Sequence, residues 1–192
     1  MKFTKMHGTG NDFIFLLDLN NEYVGQEESL AKKLCHRRFG IGADGLVLVR
    51  NSNVADIQMV IINSDGSRAN MCGNAIRCFG KYIYERNIVT KDLISVETGD
   101  GIKKLELTIT NGIVKGVKVY MGEISFDGLL VPLKNKSELI DEEINVNGKK
   151  YNATSILVDD ENFDVSEGKN IEKYELFEQG TNVNFVKENL RW

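Results

Sequence analysis

The chain has 192 residues, of which 24 are Lys or Arg and 28 are Asp or Glu, so its formal net charge is −4. Apolar residues make up 42% and charged residues 27%, which is typical of a globular protein and argues against long disorder. The acidic balance argues against a nucleic-acid partner, because binding to a phosphate backbone requires a basic face.

The sequence also bears on location. No apolar run approaches the ~20 residues needed to cross a bilayer, and residues 1–10 (MKFTKMHGTG) carry no apolar signal-peptide core. The three cysteines, Cys35, Cys72 and Cys78, are an odd and sparse set that indicates free thiols in a reducing compartment. We therefore expect a cytoplasmic protein with no membrane partner.

In the first part of the chain, short strands alternate with helices. The apolar run at 13–17 and the β-branched runs at 46–49 and 57–62 predict buried strands. Between the first two of these runs, the apolar residues of 29–38 fall on one helical face, which predicts a helix with Ser29 as its N-cap.

A polar stretch, NSDGSRANMCGN at 63–74, comes before the second predicted helix. Apolar residues repeat at intervals of three and four over 75–83, which is the period of a helix with one buried face. The repeat therefore predicts that Cys72, Gly73 and Asn74 lie at, or just before, a helix N-terminus.

From residue 93 onward, apolar and polar residues alternate with period two, as they do in strands. Asn111-Gly112 and Asn147-Gly148 separate pairs of such segments and predict two hairpins. An antiparallel sheet with sparse helices predicts the α+β class rather than a βαβ fold. We place a domain boundary after residue 121, which gives an N-terminal lobe at 1–121 and a C-terminal part at 122–192.

Cys72 is the strongest candidate for a catalytic residue. A thiolate removes protons or attacks carbon, and a helix N-terminus favours the thiolate through its partial positive charge. The backbone N–H groups of Gly73 and Asn74 would hold an anion such as a substrate carboxylate. The pattern therefore predicts a base beside a carboxylate site, and the alternative is a buried structural cysteine ahead of a helix.

The other polar candidates give weaker signals. Cys35 and Cys78 have apolar neighbours and are interpreted as core residues. A zinc site is disfavoured because no CxxC or HxxxH spacing occurs, so we expect no metal. Asn11 and Asn63 stand beside strand ends, where they either form Asx-turns or bind an amino-acid substrate.

Four segments occur in the order found in one enzyme family: MHGTGNDF at 6–13, FGIGADGLVLV at 39–49, INSDGS at 62–67 and MCGNAIRCFGKY at 71–82. Together they resemble diaminopimelate epimerase, and VKVYMGE at 117–123 and GTNVNF at 180–185 extend the resemblance over nearly the whole chain. The resemblance implies two similar lobes, each a curved, mostly antiparallel sheet around a central helix. It also implies a reaction that uses no PLP, metal or other cofactor.

The same resemblance implies a function. Members epimerise LL-diaminopimelate to the meso form, for lysine and peptidoglycan precursors, with two cysteines on opposite faces of the substrate. The first of these cysteines corresponds to Cys72. The substrate-binding positions that the resemblance implies are Asn11, Asn63, Gly73, Asn74 and Asn182. Members are often dimers, so a homodimer is expected by analogy.

Two features of the family are missing from the sequence. A segment reading roughly SMGNPH is absent before Leu157, and neither Cys35 nor Cys78 matches the second catalytic cysteine, which members carry in an ACGTG-type motif. We therefore expect the second lobe to be incomplete here and the sequence to be an incomplete record of a normal epimerase. A racemase of another amino acid on the same fold, or a substrate-binding fragment without turnover, are the alternative functions.

Overall fold

The structure is a computed structural model that describes residues 1–121, 142–154, 157–159, 170–171, 173–177 and 184–186. The chain divides into two compact units, Met1–Gly122 and Glu123–Trp192. Asn182 and the segment 122–141, where we expected the lobe junction, lie outside the described residues.

Residues 1–121 contain two helices and one eight-stranded sheet. The helices are α1 (Glu27–Cys35) and α2 (Gly73–Glu85). The strands are β1 (Thr4–Gly8), β2 (Asn11–Leu17), β3 (Gly45–Arg50), β4 (Ile57–Asn63), β5 (Arg68–Ala69), β6 (Leu93–Thr98), β7 (Gly101–Thr110) and β8 (Ile113–Tyr120). The sheet has the order β1-β2-β3-β4-β6-β7-β8, and β5 pairs with β4.

Two pairs of neighbouring strands in this sheet are parallel, β2 with β3 and β4 with β6. The connections between them carry α1 and α2, respectively. Both crossovers step in the same direction across the sheet, but β3 and β4 are antiparallel, so right-handed crossovers place the two helices on opposite faces. The predicted α+β class is confirmed. The sheet nevertheless contains two βαβ crossovers, which the period-two pattern did not predict.

The central strands are buried on both faces, which explains their continuous apolar runs. The core between the sheet and α2 includes Phe13, Phe15, Val47, Val49, Met59, Ile61, Ile76, Phe79 and Ile83. The core between the sheet and α1 includes Ile14, Leu16, Ala31, Leu34, Leu46, Leu48, Val60 and Ile62. Both end strands of the sheet, β1 and β8, contact α2, so the sheet curves around that helix.

The predicted hairpin turns are confirmed. Asn111-Gly112 has φ angles of 52° and 74° and joins β7 to β8, and Asn147-Gly148 has φ angles of 54° and 84°. The second turn joins β9 (Glu142–Val146) to β10 (Lys149–Thr154) in the second unit. There, β11 (Leu157–Asp159) and β12 (Asn184–Val186) complete a sheet of order β12-β11-β10-β9.

The first helix differs from its predicted range of 29–38. α1 begins at Glu27 and ends at Cys35, and its N-cap is Gln26 rather than Ser29, whose hydroxyl donates to the Gln26 carbonyl at 3.0 Å. Acidic residues in the first turn complement the helix dipole and favour the earlier start. The backbone leaves the helix at His36 (φ −62°, ψ 117°), and Arg37 forms ion pairs with other segments instead of extending the helix.

Candidate active site

Cys72 is the N-cap residue of α2. Its backbone is extended (φ −149°, ψ 116°), and its carbonyl accepts the N–H of Ile76 at 3.0 Å. The thiol is half-buried and forms no disulfide. The first N–H groups of a helix have no intrahelical partner, so Gly73 and Asn74 present theirs next to this thiol. The predicted position of Cys72 at the start of a helix is confirmed.

Asn11, the first residue of β2, is in contact with this thiol. Its Oδ1 lies 3.7 Å from Sγ of Cys72, a distance at which the S–H can donate to the amide oxygen. Its Nδ2 donates to Oδ2 of Asp44 at 2.8 Å. The sequence predicted Asn11 as a substrate-binding residue, a role that stays a prediction, and it predicted neither the contact of Asn11 with Cys72 nor the part played by Asp44.

Asp44 belongs to a cluster of charges that joins β2 to the start of β3. Nη2 of Arg37 donates to Asp44 Oδ1 at 2.7 Å and to Asp12 Oδ1 at 2.8 Å. The backbone N–H of Asp12 donates to Asp44 Oδ2 at 3.0 Å, and the backbone N–H of Asp44 donates to the Asp12 carbonyl at 2.9 Å. The Arg37 guanidinium, helped by Lys5, holds the pKa of the Asp12 carboxyl well below its usual range, so that carboxyl stays ionised.

Asn74 is held by two donors. The Thr9 hydroxyl donates to its Oδ1 at 3.0 Å, and Nη2 of Arg77 donates to the same oxygen. Thr9 adopts φ 51°, a left-handed conformation that is unfavourable for a β-branched side chain, in the tight turn between β1 and β2. The strained turn thus places a hydroxyl group against Asn74, and the amide oxygen of Asn74 has its partners within the protein.

Gly8 allows β1 to approach α2 closely. A Cβ at this position would lie 3.0 Å from the carbonyl oxygen of Asn74 and 3.4 Å from Sγ of Cys78. Any larger residue would therefore push against the first turns of α2, where Cys72 and Asn74 lie.

Asn63 lies at the same edge of the sheet but bonds within its own turn. In the strand register, Gly45 is opposite both Phe13 and Asn63, so the starts of β2 and β3 and the end of β4 share one edge. Nδ2 of Asn63 donates to Oγ of Ser67 at 2.9 Å, and its backbone N–H donates to the Ser67 carbonyl at 2.8 Å. These bonds are not an Asx-turn, in which the side-chain oxygen of Asn63 would accept from a backbone N–H. The substrate-binding role of Asn63 stays a prediction.

The other two cysteines are buried on opposite faces of the sheet. Burial, followed by the charge of Asp12, raises the pKa of the Cys35 thiol to about 11. Burial also raises the pKa of Cys78. Both residues lie in the cores, as their apolar neighbours predicted.

The described residues contain neither a metal-binding cluster nor a membrane-spanning helix. No group of three or more His, Cys, Asp or Glu residues in these segments could hold a metal ion. No helix within the same segments has the length and apolar character needed to cross a membrane.

The sequence did not predict the residues that form hydrogen bonds to Asn11 and Asn74 or that support those bonds. Thr9, Asp44 and Arg77 lie inside the segments that carry the family resemblance, so those segments could have pointed to them. Arg37 lies two residues before the nearest such segment and gave no signal.

Comparison with known proteins decides the family. The profile of the family described as diaminopimelate epimerase matches residues 3–126. A diaminopimelate epimerase from Clostridium perfringens is 52% identical over 195 aligned positions, which cover 97% of this chain and 72% of that protein. The chain belongs to the diaminopimelate epimerase family. A family relative from Caldanaerobacter subterraneus subsp. tengcongensis is 49% identical, with the same coverage of both chains.

Solved structures share the fold of this epimerase family member. A hydroxyproline epimerase from Agrobacterium vitis has a TM-score of 0.54 at 13% identity, covering 82% of this chain and 50% of that chain. A Bacillus anthracis phenazine biosynthesis protein of the PhzF family has a TM-score of 0.52 at 20% identity, covering 87% and 59%. At these identities the likeness concerns the fold alone. Family membership makes the protein an isomerase of the epimerase type.

Proposed function

We propose that the protein epimerises LL-diaminopimelate to the meso form and that the Cys72 thiolate removes the α-proton. The observation that carries the proposal is the place of Cys72 at the N-terminus of α2, beside the N–H groups of Gly73 and Asn74 and 3.7 Å from Oδ1 of Asn11. Membership of the diaminopimelate epimerase family supports this substrate.

The two carboxamides of the site are oriented in complementary ways. Two donors occupy Oδ1 of Asn74, so its Nδ2 is available to bind the substrate carboxylate together with the backbone N–H groups. Asp44 occupies Nδ2 of Asn11, so Oδ1 is available to accept from an ammonium group. An α-amino acid carries a carboxylate and an ammonium group on one carbon, and the arrangement supports such a substrate.

The reaction is difficult because a C–H bond next to a carboxylate is a very weak acid. On the proposed path this bond breaks, the proton passes to Sγ of Cys72, and the electron pair delocalises into the carboxylate. The N–H groups of Gly73 and Asn74 stabilise the charge that develops there. A second acid then returns a proton to the opposite face of the carbon. The family resemblance gives this role to a second cysteine, which buried Cys35 and Cys78 do not match.

The remaining parts of the proposal rest on family membership. No cofactor takes part, and the protein works in the cytoplasm to supply lysine and peptidoglycan precursors, as a homodimer. Asn63 and Asn182 contact the distal amino-acid end of diaminopimelate. An amino acid that lacks this second end is then a poorer substrate.

Deuterium exchange tests the proposal directly. LL-Diaminopimelate is incubated with the protein in D₂O, and incorporation at Cα is followed by mass spectrometry. We expect exchange with the wild type, exchange at the solvent background with Cys72→Ala, and retained exchange with Cys78→Ala, which removes a buried thiol from the same helix. Exchange that survives Cys72→Ala would refute the proposed base. A panel of L-amino acids in the same assay separates this activity from racemisation of another substrate.

A further inference from the structure

The carboxamide of Asn11 has one orientation that satisfies its neighbours. Its Nδ2 donates to Asp44, and its Oδ1 faces Sγ of Cys72. A carboxylate accepts hydrogen bonds and cannot donate them, so a flipped amide would place two acceptors against each other at Asp44. Asp44 therefore decides which atom of Asn11 faces the thiol.

The carboxylate of Asp44 is itself fixed. It accepts from Arg37 at 2.7 Å and from the backbone N–H of Asp12 at 3.0 Å, besides the bond from Asn11. Arg37 also binds both carboxylate oxygens of Asp12, at 3.2 and 2.8 Å. Charge-assisted bonds of this kind are stronger and more specific in geometry than bonds between neutral groups. The position of Asp44 is thus set by the protein alone.

We propose that Asp44 is a positioning residue of this site, which orients Asn11 so that Oδ1 rather than Nδ2 faces Cys72 and the substrate ammonium group. The part that concerns the substrate rests on the proposed function, and the part that concerns the thiol does not. In this orientation Asn11 accepts from the thiol and offers no donor to the thiolate. Asp44 acts through Asn11, which is the residue that bonds to both Asp44 and the Cys72 thiol.

Asp44→Asn is the direct test, with alkylation of Cys72 by iodoacetamide at neutral pH as the measurement. Only one end of the new amide accepts, so neither of its orientations keeps both the bond from Arg37 and the bonds from Asn11 and the Asp12 N–H. Asn11 is then no longer held by a fixed acceptor, and it flips and donates from Nδ2 to the thiolate. We expect alkylation of Cys72 to become about tenfold faster, the factor that one hydrogen bond to a charged group supplies. Alkylation at the wild-type rate would overturn the proposal.

Asp56→Asn is the matched control. The Asp56 carboxylate also accepts from a lysine, Lys91, at 2.6 Å and from a backbone N–H, that of Ser95 in β6, at 2.9 Å. Its partners are therefore different from those of Asp44. We expect wild-type alkylation of Cys72 in this variant, and equal acceleration in both variants would overturn the proposal. Peptide mapping identifies the labelled thiol. Labelling in Asp44→Asn that spreads to buried Cys35 and Cys78 would indicate general opening of the fold and would also overturn it.

A double-mutant cycle with Asn11→Ala separates positioning from a general structural effect. If Asp44 acts through Asn11, Asp44→Asn changes the alkylation rate of Cys72 in the wild-type background and leaves it unchanged in the Asn11→Ala background. Equal effects in both backgrounds would refute the positioning role. The same cycle measured on α-proton exchange tests the substrate part. A wild type without exchange, combined with the expected alkylation cycle, would refute the proposed function and support the positioning role.

Discussion

Gly8→Ala is expected to weaken both the stability and the turnover of the protein, because β1 passes close to α2 at Gly8. The nearest atom to an added Cβ is the carbonyl oxygen of Asn74 at 3.0 Å, which is backbone in the first turn of α2. A flexible side chain could rotate away from the new methyl group, but this carbonyl cannot. The added methyl group therefore fits only if β1 or the start of α2 moves by a few tenths of an ångström.

Two opposing effects set the magnitude. Replacing glycine by alanine stabilises a protein by about 0.4–1 kcal/mol where the backbone tolerates it, because the unfolded chain loses freedom. Overpacking costs about 1–3 kcal/mol. The difference predicts that Gly8→Ala lowers the free energy of unfolding by about 1 kcal/mol. Gly116→Ala in β8 is the matched control, because its Cβ would meet only Thr108 at 3.6 Å, an ordinary contact, and we expect no loss there.

Urea unfolding measures the stability of both variants, and α-proton exchange measures their turnover. Because the displaced carbonyl belongs to Asn74, next to the thiol, we expect exchange to fall about tenfold in Gly8→Ala and to be unchanged in Gly116→Ala. A Gly8→Ala protein that unfolds at the wild-type urea concentration and exchanges at the wild-type rate would show that the approach of β1 does not constrain the site.

Three further predictions concern single groups. Iodoacetamide at pH values below 9 should label Cys72 well before Cys35, because raising the pKa of Cys35 from 9.0 to about 11 lowers its thiolate fraction about hundredfold; earlier labelling of Cys35 would contradict this. Arg50→Ala should cost about 3–5 kcal/mol in urea unfolding, because it removes the cation that neutralises the buried Asp18 carboxylate and leaves it the N–H of Tyr23 as a donor. A loss below about 1 kcal/mol would count against a buried ion pair. Asp12→Asn should lower the free energy of unfolding at neutral pH, because the bonds that lower the pKa of Asp12 in the folded protein stabilise only the ionised carboxyl. The difference from the wild type in this free energy should shrink as the pH falls below 3.8. A difference that is constant with pH would contradict this.

The fold was predictable where the local sequence pattern favours the same element that the long-range contacts of that segment favour. The buried runs of β2, β3 and β4 and the three-and-four repeat of α2 predicted these elements, and Asn-Gly pairs predicted both hairpins. The end of α1 was not predictable, because residues 36–38 continue a helical pattern. There Arg37 leaves the helix to bind Asp44 in the following loop and Asp12, which is 25 residues away in sequence. The parallel pairing of β2 with β3 depends on the crossover through α1 and likewise has no local signal.

The candidate site was likewise predictable only in part. A helix start has a sequence signature, so the sequence predicted the positions of Cys72, Gly73 and Asn74 at the start of α2, and the closeness of the thiol to the N–H groups follows from these positions. The orientations of Asn11 and Asn74 depend on which donors and acceptors the fold brings to each amide. A single sequence does not encode those partners as a pattern.

The strand register explains how such distant residues meet. Gly8 pairs with Asn11 across the first hairpin, while Gly45 lies opposite Asn63. The chain thus returns to one edge of the sheet at each of these points, and α2 begins beside that edge with Cys72. Because a slip of one residue would turn every side chain of a strand to the other face, the register of buried strands is strongly specified. The buried sheet therefore brings the thiol and its asparagines together, and residues of the adjoining turns and loops, Thr9, Arg37 and Asp44, orient the two amides.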